Sequence, residues 1–496
     1  MADAFILLFE WQNLLLLLAG TALGIVVGAI PGLTASMLIA LTLPLTFHMD
    51  PVGAVTLLIG EYVGGISGGL ITAILLRMPG TPASIVTTFD GYPMAQDNRA
   101  ERALALGILA SVVGGIISWG FLAGMSPSLA RFALKFGPWE YFTLVLMALV
   151  MLAALAHSSM VKGLLAAALG MAFALPGIDS SIGRARLTFG HDALLSGFGL
   201  LPVLIGAFAI SQILRDSCAA KTSNQPALPK ARLPLSWSDA RVHGPNMLRS
   251  SVIGTWIGLL PGIGANIAAL VAYTTAKQVS GEPEKFGKGH EPGVVAGESA
   301  NNASIGGALI PLITMGIPGS VTEAILIGAL TIHNLQPGPL LFQNAPEIAY
   351  GIIAAYLIAN IIMLVLMWSA VKYIARLAQI PRAGLLGCIL VFCVVGSYAV
   401  NNSFVDVWVM IGFGVIGLGL EAARVPLGPF VIGFVLSPIA EEQLRASLMM
   451  SDGNVLEILA RPYAMFFLLL AVLTLMWPVI LERVRTNREK LENDHT

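Results

Sequence analysis

Charged side chains are scarce in this sequence. They make up 11% of its 496 residues, where a soluble protein of this size carries about a quarter. The scarcity is also uneven. No Asp, Glu, Lys or Arg falls within 11–49, 103–130, 141–161, 193–214, 250–276, 348–371, 383–405 or 462–481. Each run meets the roughly 20 residues that a helix needs to cross a bilayer. Backbone polar groups cannot go unpaired in lipid, so such runs must be helical, or broken only where protein shields them. A transmembrane barrel would need short alternating segments instead, and none occurs. With a mean hydropathy of +0.82, the chain is expected to be an all-α polytopic membrane protein.

Other shortages narrow the function. The net charge of -1 argues against a nucleic-acid partner. Three cysteines, Cys218, Cys388 and Cys393, offer neither a paired framework nor metal-ligand spacing. There is no HExxH, no Ser/His pairing within the apolar runs and no pair of buried aspartates, and His48, His157 and His333 are scattered. The chain is therefore expected not to be an enzyme, nor to hold a cofactor or resident metal beyond a transported sodium ion. The N-terminus has no basic segment ahead of its apolar run, which is taken as a retained helix and not as a removed signal peptide.

The polar residues that do occur set the orientation. Between Arg215 and Arg249 stand six basic residues against two acidic, together with Pro226, Pro229 and Pro234. The positive-inside rule places this segment in the cytoplasm. Arg483, Arg485, Arg488 and Lys490 favour the same side for the tail, while Asp3 and Glu10, with no basic residue beside them, favour an outside N-terminus. The organisation expected is an N-terminal membrane repeat (1–214), a cytoplasmic linker (215–249), a C-terminal membrane repeat (250–481) and a cytoplasmic tail (482–496). Trp139, Tyr141, Trp408 and Trp477 suit an interfacial belt.

The two repeats share a plan. Gly28-Ala-Ile-Pro31-Gly32-Leu33-Thr34-Ala35-Ser36 matches Gly258-Leu-Leu-Pro261-Gly262-Ile263-Gly264-Ala265-Asn266, 230 positions later. Gly68-Gly69 followed by Arg77-Met78-Pro79-Gly80-Thr81 matches Gly306-Gly307 followed by Gly316-Ile317-Pro318-Gly319-Ser320, and an isolated acid, Glu61 or Glu298, precedes each double glycine. One Pro-Gly match is unremarkable among 53 Gly and 28 Pro; two ordered pairs with matching flanks are not. Pro-Gly in an apolar run removes a backbone donor and admits unusual angles, so one helix stops and another begins. Paired interruptions in two halves point to a transporter site made of half-helices near the midplane. Ordinary tight turns at the membrane surface are the competing account. The fold expected is two homologous halves, inverted in topology, with discontinuous or re-entrant helices at the Pro-Gly breaks.

At these residues the chain resembles the large membrane subunit of tripartite tricarboxylate transporters, the TctA type. The resemblance is carried by 28–47, 64–84 and FDGYPMA (89–95) in the first half, and by 258–277, 298–320 and QPGPLLF (336–342) in the second. Arg77 stands where a less charged residue is expected. The resemblance implies a carrier in the bacterial inner membrane that imports a di- or tricarboxylate by symport with a cation, sodium or a proton. It also implies a small membrane subunit of the TctB type and a periplasmic solute-binding protein of the TctC type as partners.

Residue chemistry suggests where such a carrier would work. Helix N-termini offer free amides and partial positive charge to an anion. Thr34, Ser36, Thr81, Ser84, Gly264, Asn266, Ser320 and Thr322 follow the four breaks and are the expected substrate contacts, though hydroxyls there can equally be plain helix caps. Ser67, Thr72, Asn301, Asn302 and Ser304, beside the double glycines, are the expected cation contacts, with small-residue helix packing as the alternative. Glu61 and Glu298 are candidates for ionisable coupling groups, since a carboxylate at membrane depth is costly; Glu323 is ambiguous in the same way. Asp90, in FDGYP, is expected to be a turn residue. Long helices such as 348–371 would suit a homodimer contact. A passive channel or an assembly scaffold is the alternative function.

Overall fold

The computed structural model describes residues 6–30, 32–78, 81–154, 159–179, 183–218, 236–261, 264–377 and 382–476. Among them the chain is helical almost throughout, with one two-residue β-hairpin. Six helices among the described residues are long and apolar enough to cross a membrane: Trp11–Gly28, Pro51–Leu76, Ala100–Ala133, Leu200–Ser217, Pro346–Ile374 and Phe404–Ala422. The all-α multi-pass expectation holds. The anticipated tail and residues 219–235 of the anticipated linker lie outside the described residues; the linker's first residues, to Cys218, and its last, from Trp237, are helical.

The chain forms two compact units, each drawn from separate stretches: Met1–Leu134 with Phe198–Ala422, and Lys135–Gly197 with Ala423–Thr496.

The first unit opens with α1 (Trp11–Gly28), α2 (Ala35–Thr46), α3 (Pro51–Leu76), a 3-10 turn (Pro82–Ser84), α4 (Ile85–Gln96) and α5 (Ala100–Ala133). Asp50 caps α3 by accepting from Val52 N at 3.0 Å, with Pro51 in the first turn where a missing N–H costs nothing. α1 and α3 meet backbone to backbone. Gly20, Gly24 and Gly28 recur every fourth residue on α1, and Gly60, Gly64 and Gly68 on α3. A Cβ at Gly20, Gly24 or Gly28 would collide with the carbonyl of Leu57, Glu61 or Gly65. Small residues let membrane helices approach this closely, with dispersion and weak C–H contacts in place of a hydrophobic driving force.

The plan recurs in α9 (Trp237–Gly258), α10 (Gly264–Gln278), α11 (Glu291–Met315), α12 (Val321–Ile332) and α13 (Pro346–Leu377). Between the two runs, the first unit contains α8, a helix from Leu200 to Cys218 with a π-segment at Ile205–Ile210. It closes with α14 (Arg382–Asn401) and α15 (Phe404–Ala422). Gly254 and Gly258 on α9 face the carbonyls of Ala300 and Ser304, as Gly24 and Gly28 face those of Glu61 and Gly65; Gly307 faces Thr255 as Gly68 faces Ile25. Gly68 therefore corresponds to Gly307, one residue later than the sequence pairing implies. Glu61 corresponds to Ala300, so Glu61 and Glu298 are not equivalent.

The halves exchange partners. α5 packs along α11, and α13 packs along α3. Along α5, residues Arg102, Gly107 and Ser118 meet Glu291, Val294 and Gly306 in turn, so α5 and α11 run parallel. The counterparts α5 and α13 run antiparallel: Trp119 Nε1 donates to Ile353 O at 3.0 Å, and the earlier Gly115 lies against the later Asn360.

The second unit comprises α6 (Pro138–Ala154), α7 (Met160–Phe173), the hairpin of β1 (Gly177–Ile178) and β2 (Ala185–Arg186), α16 (Leu427–Met450) and α17 (Pro462–Met476). Arg445 grips both oxygens of Asp179 (2.8 and 2.6 Å) and Arg186 both oxygens of Glu441 (2.5 and 2.7 Å), fastening the hairpin to α16. Trp139 is buried here with Ile458 and Ala464, against the interfacial role expected of it. Trp408, in the first unit, is 71% exposed, and Trp477 lies outside the described residues.

Candidate functional site

Each Pro-Gly break is a helix stop followed by a helix start. α1 ends at Gly28, and α2 begins after Thr34, whose hydroxyl accepts from Met37 N at 3.2 Å. α3 ends at Arg77, in the left-handed region (φ 56), and the 3-10 turn leads into α4. α9 ends at Gly258 and α10 begins at Gly264 (φ +65). α11 ends at left-handed Gly316 (φ 71), and Ser320 caps α12 by accepting from Thr322 N at 3.2 Å. Arg77 and Gly316 occupy the same place in the two halves, and the Arg77 guanidinium sits 5.7 Å over the Tyr92 ring. Pro31, Pro79, Gly80, Gly262 and Ile263 lie outside the described residues.

Three of the four starts meet. The hydroxyls of Ser36 on α2 and Thr322 on α12 lie 2.8 Å apart across 286 residues of sequence. Ser320 borders Gly264 at the head of α10: a Cβ on Gly264 would stand 3.9 Å from the Ser320 Cβ. Thr34, Ser36, Gly264, Asn266 and Ser320 are all half-buried. They are neither core nor fully exposed. The fourth start differs. Thr81 and Ser84 are buried, their hydroxyls 2.7 Å apart, and both pack onto Gly69 of α3. As plain capping would have it, Thr34 and Ser320 spend a lone pair on their own helices, while Ser36 and Thr322 spend theirs across the halves. Chemically, the junction offers helix N-termini from both halves and rotatable hydroxyls, a set suited to an oxyanion.

The expected cation contacts lie in the interior on α3 and α11. Ser67 Oγ donates to Asn302 Oδ1 at 2.6 Å, joining the two helices, and Asn302 Nδ2 donates to Glu298 O at 3.2 Å. Ser304 Oγ donates to Asn301 O at 2.7 Å, and Thr72 Oγ1 to Gly69 O at 3.3 Å. Among the described residues the buried amide oxygen of Asn301 has no hydrogen-bond partner, a ligand atom to spare in a polar neighbourhood.

Three glutamates are fully buried among the described residues: Glu61, Glu298 and Glu323. Glu298 accepts from Thr87 on α4 and from Ser111 on α5 at 3.3 Å, tying α11 to the other half. Glu61 faces Thr42 on α2, with Oε2 2.7 Å from the hydroxyl. Glu323, in the first turn of α12, accepts from the Tyr62 hydroxyl of α3. Sequence reasoning left Glu323 unresolved and did not see Tyr62, although an aromatic hydroxyl beside Glu61, the one charged residue of its helix, was a signal. It also missed Tyr356, whose hydroxyl lies 3.0 Å from Asn302 O, 3.2 Å from Gly306 N and 2.8 Å from Ser118 Oγ.

Asp90 is not a turn residue. It lies within α4, fully buried, and its Oδ1 accepts from the backbone N–H groups of Gly287, Gly289 and His290 at 2.9, 2.9 and 2.8 Å. Its Oδ2 accepts from the Tyr273 hydroxyl at 2.8 Å. The loop before α11 is thus an anion nest filled by a side chain of the other half. Beside it, Arg102 forks onto Asp239 (2.6 and 2.7 Å) and Glu291 (both 3.1 Å), and His243 Nε2 lies 3.2 Å from Glu291. The Arg102 guanidinium holds the Asp239 carboxyl down to about 2. Glu291, bonded to His243 and then to Arg102, is held to about 2 as well. Nothing in the sequence signalled this cluster, because its members come from three helices.

Comparison with known proteins gives a consistent picture. The model of the tripartite tricarboxylate transporter TctA family matches residues 14–432. A protein of Agrobacterium vitis described as "Uncharacterized 52.8 kDa protein in TAR-I ttuC' 3'region" is 34% identical over 97% of this chain and 95% of its own. A second from the same organism, "Uncharacterized protein in TAR-II ttuC' 3'region", is 32% identical over 48% of this chain and 98% of its own. No solved structure matches the chain.

Proposed function

The chain belongs to the tripartite tricarboxylate transporter TctA family, and on that premise we propose that it is the carrier subunit of a secondary transporter that imports small organic di- and tricarboxylates. It works in the bacterial inner membrane by symport with sodium or a proton, beside a small membrane subunit and a periplasmic solute-binding protein. The observation that carries this reading is the Ser36–Thr322 contact, where half-helix starts from the two halves meet. Thr34, Ser36, Gly264, Asn266, Ser320 and Thr322 hold the carboxylates; Thr81 and Ser84 brace the fourth start from behind. Asn301, Asn302, Ser304, Ser67 and Thr72 supply the oxygens for a transported cation. The antiparallel course of α5 and α13 supports an inverted repeat. In such a repeat a fixed midplane site opens alternately to either side by rocking or sliding of one element against another.

The test is reconstitution in liposomes with the small subunit and a cognate binding protein, following radiolabelled citrate and succinate under imposed sodium or proton gradients. Accumulation that is gradient-driven, and lost in correctly folded Ser36→Ala and Asn301→Ala, is the expected result. Solute that merely equilibrates whatever the gradient would make the protein a channel.

A further inference from the structure

Hydrogen-bond accounting at one buried carboxyl identifies a proton site. Thr42 Oγ1 lies 3.1 Å from Leu38 O, 3.2 Å from Ile39 O and 2.7 Å from Glu61 Oε2. A hydroxyl has one proton. If Thr42 donates back into α2, its contact with Glu61 is satisfied only when Glu61 Oε2 carries a proton and donates it to Thr42. If Glu61 is ionised, Thr42 must turn its proton to the carboxylate and release the α2 carbonyls. Oε1 of Glu61 is buried without a hydrogen-bond partner among the described residues, so the ionised form would also leave an unpaired anionic oxygen. Nor is there a countercharge among the described residues. α1 and α2, on either side, carry no titratable residue. Tyr62 turns to Glu323 of α12, and Glu298 of α11 to Thr87 and Ser111. Tyr356 of α13 is taken up by Ser118, Asp90 of α4 by its nest, and Arg102 of α5 by Asp239 and Glu291. Among the described residues Thr42 alone meets the carboxyl with a polar group.

Resting on the carrier reading above, we infer that Glu61 is the site at which the transported proton rides, and that Thr42 is a positioning residue that passes its state to α2. The only bond made and broken is the O–H of the Glu61 carboxyl: it takes a proton from one side and releases it to the other. The conduit is short. Thr42 lies on the same half-helix as Ser36, so freeing or engaging the Leu38 carbonyl acts on the element whose N-terminus meets Thr322.

Two measurements test this on the full-length protein. Infrared spectra at neutral pH should show a protonated-carboxyl band that vanishes in Glu61→Gln, shifts in Thr42→Val and returns in Thr42→Ser; a band unchanged in Glu61→Gln overturns the assignment. In liposomes with the partner subunits, citrate and succinate exchange should survive in Glu61→Gln while accumulation driven by a pH gradient is lost. Each pH unit sustains at most about tenfold accumulation per proton, so the variant should fall from that ratio to simple equilibration. Retained pH-driven accumulation in Glu61→Gln, or wild-type accumulation driven by sodium alone, overturns the proposal. A wild type with no exchange at all would instead defeat the carrier reading, and the infrared measurement would still decide Glu61. Should Glu61→Gln fail to fold, the Thr42→Val and Thr42→Ser pair carries the infrared test.

Discussion

Replacing Asp90 should separate the cost of an empty nest from the cost of a lost charge. Its carboxylate gathers three backbone donors and a phenol. In Asp90→Ala the Gly287 amide, at an exposed residue, can turn to water. Gly289 and His290 are more enclosed, and each stranded donor costs about 1–3 kcal/mol, so the loss should reach about 2–6 kcal/mol. Asp90→Asn keeps Oδ1 as acceptor for all three amides and offers its amide to Tyr273, whose hydroxyl can accept instead. Charge-assisted bonds are roughly twice as strong as neutral ones, which leaves a loss of about 1–2 kcal/mol. Tyr273→Phe removes a single bond, worth about 1 kcal/mol. The assay is chemical unfolding of the purified protein in detergent, with amide exchange read across 287–290. Exchange should quicken there first and most in Asp90→Ala. If Asp90→Ala and Asp90→Asn were equally destabilised, the nest would contribute nothing beyond the charge, and the reasoning would fail.

Three further outcomes follow from the packing. Gly28→Ala should destabilise by about 1–3 kcal/mol, since the new Cβ collides with the Gly65 carbonyl; Gly120→Ala, with nothing within 4 Å, should be neutral or stabilise by up to about 1 kcal/mol, both by chemical unfolding. Asp239 and Glu291 are held near 2 when folded against about 4 when unfolded. Their contribution is therefore complete above pH 4 and lost as the pH falls towards 2; melting curves at stepped pH should show this acid slope in the wild type and a flatter one in Arg102→Ala. Arg77→Gly should relieve a left-handed non-glycine residue, worth about 1–2 kcal/mol, while losing a cation–π contact of about 0.5–1 kcal/mol. A net gain of up to about 1 kcal/mol in unfolding free energy is expected, and a clear loss would mean the guanidinium does more than rest on Tyr92.

The membrane class and the four helix breaks were legible because they depend on local facts. A charge-free run of 20 residues must be helical in lipid, and Pro-Gly must interrupt it. The starts at Thr34 and Ser320 were likewise written in the chain as hydroxyls placed to cap. What the chain could not display was which surfaces face one another. Trp139 looked interfacial because aromatic residues favour that depth, yet it is enclosed by Ile458 and Ala464 from more than 300 residues on. Asp90 looked like a turn residue because glycine and proline flank it, yet the backbone that binds it lies near 290.

The register of the repeat shows the same limit more sharply. Matching glycines by eye pairs Gly68-Gly69 with Gly306-Gly307 and so makes Glu61 and Glu298 look like copies. Matching them by what each glycine faces pairs Gly68 with Gly307 and sets Glu61 opposite Ala300. On a helix, one residue is a rotation of about 100°, enough to carry a side chain to another neighbour. Glu61 therefore looks onto α2 of its own half, while Glu298 looks onto α4 and α5 of the other. Their hydrogen bonds differ accordingly. Glu298 meets two hydroxyls and can be satisfied as an acceptor; Glu61 meets one hydroxyl, shared with two carbonyls of its own helix. Two like halves thus keep the backbone scaffold of their breaks in duplicate, while the surroundings of their buried carboxyls differ.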